Sequence, residues 1–247
     1  MNKRTFFTVF SIALFLVLSS CAGKSGKASA QEAPTPSQLI IPAARSGTIS
    51  ETPQKPYTNS PPYSSHSFST PLPLTEPDGS QVAILAGGCF WCLEAVFELV
   101  PGVTDVVSGY TGGKTRRPSY TAVSMGATGH AEAVRIVYNP AIVSFQELLE
   151  LFFKIHDPTT LNRQGYDVGT QYRSAIYYVD ENQRAAAVAE IEKQRSHWRD
   201  LIVTELLPAG DFWIAEEYHQ DYFRLNPTQG YCIAIIGPKV EKTGLAQ

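Results

Sequence analysis

Apolar and polar positions along the chain fall into three regimes. Phe6 to Leu18 is apolar apart from single Thr and Ser residues. From about Gly23 to Ser80 apolar residues are scattered without period, and from Gln81 to about Val240 stretches of period two alternate with stretches of period 3.6. In the third regime Val82 to Ala86 reads as a buried strand, Gly87-Gly88 as a tight turn, and Leu93 to Val100 as a helix. Val103 to Tyr110 predicts a strand ended by Thr111-Gly112-Gly113. A loop with Arg116, Arg117 and Pro118 leads to a short segment around Tyr120 to Val123. Ala131 to Tyr138 predicts a second core strand, stopped by Asn139-Pro140. Ser144 and Glu147 form a capping box ahead of the stripe Phe145, Leu148, Leu149, Phe152 and Phe153. Tyr172 to Val179 predicts a strand, and Asp180 with Gln183 opens a helix to about Trp198. Leu201 to Leu207 is a last strand, and Phe212 to Asn226 is aromatic and polar around His219. Strands alternating with helices in this way predict a two-layer α/β sandwich.

The first two regimes carry a different message. Lys3 and Arg4 precede an apolar run too short to span a membrane comfortably, as in an export signal. The run ends in Leu18-Ser19-Ser20-Cys21, which looks like a bacterial lipobox. Cleavage before Cys21 and lipidation of its thiol would anchor the mature protein to a membrane of the bacterial cell envelope. An ordinary cleavage after Ala22, giving a soluble secreted or periplasmic protein, is the alternative. Residues 21–80, rich in Pro, Ser, Thr and Gln, bury too little apolar surface to offset their ordering entropy and read as a disordered tether. The expected division is residues 1–20 as signal, 21–80 as tether and 81–247 as the folded domain.

Composition narrows the chemistry. Of 247 residues 43% are hydrophobic, enough for a core, and a net charge of −3 gives no reason to expect nucleic acid as a partner. The four cysteines are one in the leader, two in Cys89-Phe90-Trp91-Cys92 and one near the C-terminus, a placement that points to chemistry more than to stapling. Cys89 falls at the opening turn of a helix, where free N–H groups and the helix dipole would favour a thiolate and lower its pKa. A buried structural cysteine is the plainer alternative. Glu132 lies in a strand that otherwise alternates towards a core, so its carboxyl is either at the solvent face or in a pocket with a raised pKa.

The stretch Gly87-Gly88-Cys89-Phe90-Trp91-Cys92-Leu93-Glu94 resembles the active-site signature of the peptide methionine sulfoxide reductases of type A. The likeness continues through Gly129-His130-Ala131-Glu132-Ala133-Val134, His156-Asp157-Pro158, Gly169-Thr170-Gln171-Tyr172-Arg173-Ser174, Tyr218-His219-Gln220 and Gly230-Tyr231-Cys232. The resemblance implies an α+β fold with a ferredoxin-like core and a mixed sheet. It also implies reduction of methionine-S-sulfoxide, free or in peptides, through a cysteine sulfenic acid and an intramolecular disulfide. Carried over residue by residue, Cys89 is the nucleophile, Glu132 protonates the sulfoxide oxygen, and Tyr120 and Tyr172 hydrogen-bond it. Asp167 is the active-site aspartate, while Phe90 and Trp91 enclose the S-methyl group. Tyr166 departs from the small polar residue, usually Asn, expected before Asp167. Cys232 matches the usual resolving cysteine on a mobile C-terminal segment and is expected to act first. Cys92, three residues from Cys89, competes with it, or the two act in succession. His130 and His219 are metal-ligand types but read as structural.

Neither a metal nor an organic cofactor is expected, and the protein is expected to be monomeric. The reductant would be an external thiol, such as a thioredoxin-like envelope protein. Two other classes compete with this reading. A thioredoxin-type dithiol oxidoreductase would leave the Glu132 and Tyr172 blocks without a role, and a zinc module has only one CxxC to support it.

Overall fold

The computed structural model of the chain describes residues 70–245; the expected signal, Cys21 and most of the tether lie outside them. The elements follow in the order β1 (Gln81–Gly87), α1 (Phe90–Phe97), β2 (Val103–Thr111), α2 (Tyr120–Ser124), β3 (Ala131–Tyr138) and α3 (Phe145–Ile155). Then come a short hairpin, β4 (Arg163–Gln164) and β5 (Asp167–Val168), followed by β6 (Ser174–Tyr178), α4 (Glu181–Gln194), β7 (Glu205–Pro208), β8 (Trp213–Ile214), α5 (Tyr222–Leu225) and α6 (Gly237–Thr243). One sheet runs β7-β6-β1-β3-β2-β8, antiparallel throughout except for the β6–β7 pair. This is the expected mixed-sheet α+β sandwich.

β3 shows how the sheet divides its faces. Glu132, Val134, Ile136 and Tyr138 alternate with Ala131, Ala133, Arg135 and Val137, as period two requires. Val134, Ile136 and Tyr138 join the core under α1 and α3, with Phe90, Leu93, Phe97, Leu148, Leu149 and Phe152. Ala131 and Ala133 belong to a smaller cluster on the opposite face, with Val82, Ile84, Val107, Tyr177 and Phe212. The capping box at α3 is present in both directions. At α4 the Asp180 side chain accepts the Gln183 N–H, but the Gln183 side-chain Oε1 accepts the Val179 N–H instead of that of Asp180.

Four boundaries differ from expectation. Helix α1 starts three residues earlier than Leu93 and ends three before Val100. Tyr172 closes a 3-10 turn, Thr170–Tyr172, ahead of β6. Of Leu201 to Leu207 only the last part pairs, as β7. The domain also begins before Gln81: a strap over residues 71–80 crosses the second face. Leu72 is buried there, its N–H bonded to the Phe212 carbonyl at 2.9 Å. Buried Arg135 donates to the Pro73 carbonyl at 3.0 Å and pairs with Glu76. Alternation predicts that Arg135 faces away from α1; it cannot reveal that residues counted with the tether cover it.

Candidate active site

The turn between β1 and α1 delivers the nucleophile. Gly88 has φ +93°, and a Cβ there would lie 2.6 Å from the Gln164 side chain, so glycine lets the β4–β5 hairpin close against this turn. Gln164 fixes the hairpin's base by bonding both the N–H and the carbonyl of Asp157, each at 3.1 Å. That places Asp167, in β5, across from Cys89, which is the N-cap residue of α1. Arg173 ties the Tyr172 turn to the entrance of β3, donating to the carbonyls of Thr170 at 2.9 Å and Gly129 at 3.1 Å.

These elements enclose a cavity of about 180 Å³. Cys89, Glu132, Asp167, Tyr120 and Tyr172 line it, with Phe90 and Trp91 forming its apolar wall. Glu132 is 2% exposed and sits opposite Tyr110 in the β2–β3 register; its Oε2 accepts the Phe90 N–H at 3.2 Å. Burial outweighs that hydrogen bond and pushes the carboxyl up to about 8, with Asp167 adding to the rise. Burial raises the Tyr120 and Tyr172 phenols as well, so both stay protonated donors at neutral pH.

The expectation for Cys89 requires correction. Desolvation pushes its thiol well up, reinforced by its hydrogen bond with Cys92 and by the nearby Glu132 carboxyl. The dipole of an eight-residue helix does not offset burial at 7% exposure. Cys92 moves the other way, down to about 7, chiefly through its hydrogen bond with Cys89 and aided by the Lys239 charge. The pair is therefore the titrating unit, and its single negative charge forms near neutral pH.

Cys232 also departs from expectation. It is fully buried at the start of a π-helical turn, Cys232–Ile236, that runs into α6, not on an open loop. It does not line the cavity; burial raises its thiol, and the charge of Cys92, in the same core cluster, adds to the rise. Tyr166 projects from the hairpin at 91% exposure and does not line the cavity. His130 is held by the Gly113 N–H and the Thr115 carbonyl, while His219 lies among aromatic rings with no hydrogen-bond partner among the described residues. Among those residues no group of His, Cys, Asp and Glu is arranged to hold a metal.

Two residues at or beside the site fall within the quoted blocks but are given no role by sequence reasoning. Tyr231 lines the cavity, donates to Asp167 Oδ2 at 2.8 Å and reaches 3.9 Å from Cys92 Sγ. Its signal in the sequence is its place in the Gly230-Tyr231-Cys232 block. Glu94, on the same helix as the CxxC, is buried, accepts the Ser108 hydroxyl and the Tyr222 N–H, and is pushed up to about 8 by burial. Because its folded pKa exceeds the unfolded one, the native state holds a proton that the unfolded state loses above the ordinary carboxylate range. Stability should thus fall as pH rises towards about 8. Glu94→Gln is expected to flatten that slope by up to about 1.4 kcal/mol per pH unit, read from urea unfolding at several pH values. An unchanged slope would rule this out.

A family model for peptide methionine sulfoxide reductase matches residues 81–246. Peptide methionine sulfoxide reductase MsrA 1 of Rhodopirellula baltica is 58% identical over 164 residues, 66% of this chain and 85% of that protein. The MsrA of Nautilia profundicola is 56% identical over 160 residues, 65% of this chain and 92% of that protein. Among solved structures, reduced Mxr1 from Saccharomyces cerevisiae superposes with a TM-score of 0.60 at 35% identity, over 64% of this chain and 91% of that one. Methionine sulfoxide reductase A of Corynebacterium diphtheriae gives 0.57 at 37%, over 64% of this chain and 79% of that one. The chain belongs to the type A peptide methionine sulfoxide reductases, oxidoreductases that use thiols to reduce methionine sulfoxide and so repair oxidised proteins.

Proposed function

We propose that the domain reduces methionine-S-sulfoxide by transferring the sulfoxide oxygen to Cys89. The observation that carries this reading is the convergence of a thiol, a protonated carboxyl and two phenols in one small cavity with an apolar wall. The substrate's S-methyl group would rest against Phe90 and Trp91, and its oxygen would face Glu132, Tyr120 and Tyr172. Cys89 passes its proton to the Cys92 thiolate and attacks the sulfoxide sulfur while Glu132 gives its proton to the oxygen. In the adduct the substrate S–O bond and the new Cys89–sulfur bond both break as the hydroxyl moves to the Cys89 sulfur, so methionine leaves as the thioether and Cys89 is left as a sulfenic acid. A second thiol then displaces water to form a disulfide, and an external dithiol restores the enzyme.

For the second thiol we place Cys92 first and Cys232 after it, the reverse of the order expected from the usual resolving cysteine. The support is proximity. Cys92 lies three residues from Cys89 with its N–H on the Cys89 carbonyl at 3.1 Å, and Cys232 is buried in the same core cluster as both without lining the cavity. The disulfide would thereby pass from the buried site towards the C-terminal helix, where a thioredoxin-like reductant could reach it after local opening. Asp167 would hold the Tyr231 hydroxyl next to this exchange. Anchoring by a lipid at Cys21 and operation in the bacterial envelope belong to the same proposal, supported by the basic, apolar and lipobox sequence of the leader.

The test offers separate S- and R-epimers of a peptide methionine sulfoxide with dithiothreitol, and maps the disulfides after one turnover without reductant. Turnover of the S-epimer alone is expected, with Cys89–Cys92 and then Cys92–Cys232 links in the digest. A direct Cys89–Cys232 link appearing first would remove the relay. Rapid reduction of insulin disulfides with no turnover of either epimer would favour a dithiol oxidoreductase.

A further inference from the structure

Glu216 takes no part in the chemistry above, yet both of its carboxylate oxygens are committed to the tyrosines around the site. Oε1 accepts the Tyr120 N–H at 2.8 Å, and Oε2 accepts the Tyr110 hydroxyl at 2.8 Å. Tyr120 opens α2, a helix of five residues, so its N–H has no partner inside the helix. The Ser119 hydroxyl serves a different donor, the Ala122 N–H. A helix this short has little stability of its own and takes its position from what holds it. Tyr110, by contrast, is fully buried in β2 and registers against Glu132. The carboxylate therefore bridges a marginal helix to a rigid strand next to the acid.

His219 backs this bridge. It closes the 3-10 turn Glu217–His219 that follows Glu216, and its Nε2 lies 4.0 Å from Glu216 Oε2. Its ring packs 4.4 Å from the Tyr120 ring and 5.0 Å from that of Phe90, centroid to centroid. Gln220 pins the turn to β2 through the Ser108 N–H at 3.0 Å and the Ser108 carbonyl at 2.9 Å.

We propose that Glu216, backed by His219, is a positioning residue that sets where the Tyr120 phenol stands relative to Glu132, and so where the sulfoxide oxygen is held. The proposal rests on Tyr120 being a donor to that oxygen. A pre-aimed donor contributes only if its distance to the developing charge is held closely, and a displacement of about 1 Å in such a group can cost on the order of 10²-fold in rate.

The experiment is single-turnover reduction of an S-epimer peptide by the full-length protein in detergent, with the methionine formed read by mass spectrometry. Wild type, Glu216→Ala, Tyr120→Phe and the double variant make a cycle. Glu216→Ala is expected to slow the step by about 10- to 100-fold, and to cost nothing further once the Tyr120 hydroxyl is gone. Glu216→Gln can keep an acceptor for the Tyr120 N–H and donate to the Tyr110 oxygen, so it should recover most of the loss. Should Glu216→Ala fail to fold, Tyr110→Phe removes one of the two bonds while keeping the core's shape, and its smaller loss should likewise vanish in the Tyr120→Phe background. No loss, or the same loss in both backgrounds, overturns the proposal. A wild-type protein that leaves the S-epimer untouched overturns the reading of Tyr120 beneath it, and the wild-type control identifies that case by itself.

Discussion

Cys89→Ser is expected to abolish reduction of the S-epimer, and Glu132→Gln to slow it by about 10²- to 10³-fold while leaving Cys89 reactive towards a thiol reagent. The two losses differ in kind. Without the thiol there is no acceptor for the oxygen. Without the acid, the two phenols proposed to hold the oxygen would still hydrogen-bond it but would not transfer a proton at neutral pH, because burial raises both. The pH profile separates the roles. An acid pushed up to about 8 is protonated, and therefore active, below that value and is lost as pH rises through it. The thiol pair works in the opposite sense, since its charge forms as pH rises through about 7. The oxygen-transfer rate should accordingly rise through about 7 and fall above about 8. Glu132→Gln should keep the rising limb and lose the falling one. A falling limb that persists in Glu132→Gln would mean that another group protonates the oxygen.

The second large effect is on stability and comes from the strap. Leu72→Ala is expected to cost about 2–4 kcal/mol, because Leu72 is 5% exposed and packs in one cluster with Val82, Ala133 and Phe212. Glu76→Ala leaves the Arg135 guanidinium, 2% exposed, with only a carbonyl partner from the strap. A buried charge that loses its partner costs about 3–5 kcal/mol. The partial exposure of Glu76 lets water approach, so about 2 kcal/mol is the expected loss. A chain beginning at Gln81 loses both contacts and bares the second face of the sheet. Its urea midpoint, followed by tryptophan fluorescence, should fall well below that of a chain beginning at Thr70. Equal midpoints would show that the strap adds nothing. Arg135→Met in the shorter chain should restore part of the loss, since it removes the unpaired charge.

Much of the fold and the site is legible in the order of residues alone. The period-two run from Ala131 to Tyr138 assigns Glu132 and Arg135 to opposite faces of β3. The Gly-Gly-Cys turn puts Cys89 at a helix start, and Ser144 with Glu147 marks where α3 begins. Each is a signal within about one turn or one strand, where the backbone's own hydrogen bonds and geometry decide the outcome. The blocks around Cys89, Glu132, Tyr172 and Cys232 carry the family, because each sits at a turn or strand end whose chemistry is local.

What only the tertiary structure decided involves burial or partners far along the chain. The direction of the Cys89 shift depends on how completely β3, the β4–β5 hairpin and the C-terminal segment exclude water from one helix start, and no local rule sums those contributions. Cys232, flanked by Gly and Asn-Pro, has the composition of a loop, yet Ile236 and Val240 draw its segment into the core as a helix. Residues 71–80 have the composition of a tether, yet Arg135, across the sheet, supplies the partner that orders them. Glu216 lies two residues before the Tyr218-His219-Gln220 block, but nothing local shows what it joins, since the two tyrosines lie about a hundred residues away. Periodicity, capping and turn residues determined the elements and the identity of the reacting groups. Desolvation and long-range hydrogen bonds, which exist only once those elements pack, decided their protonation and their placement.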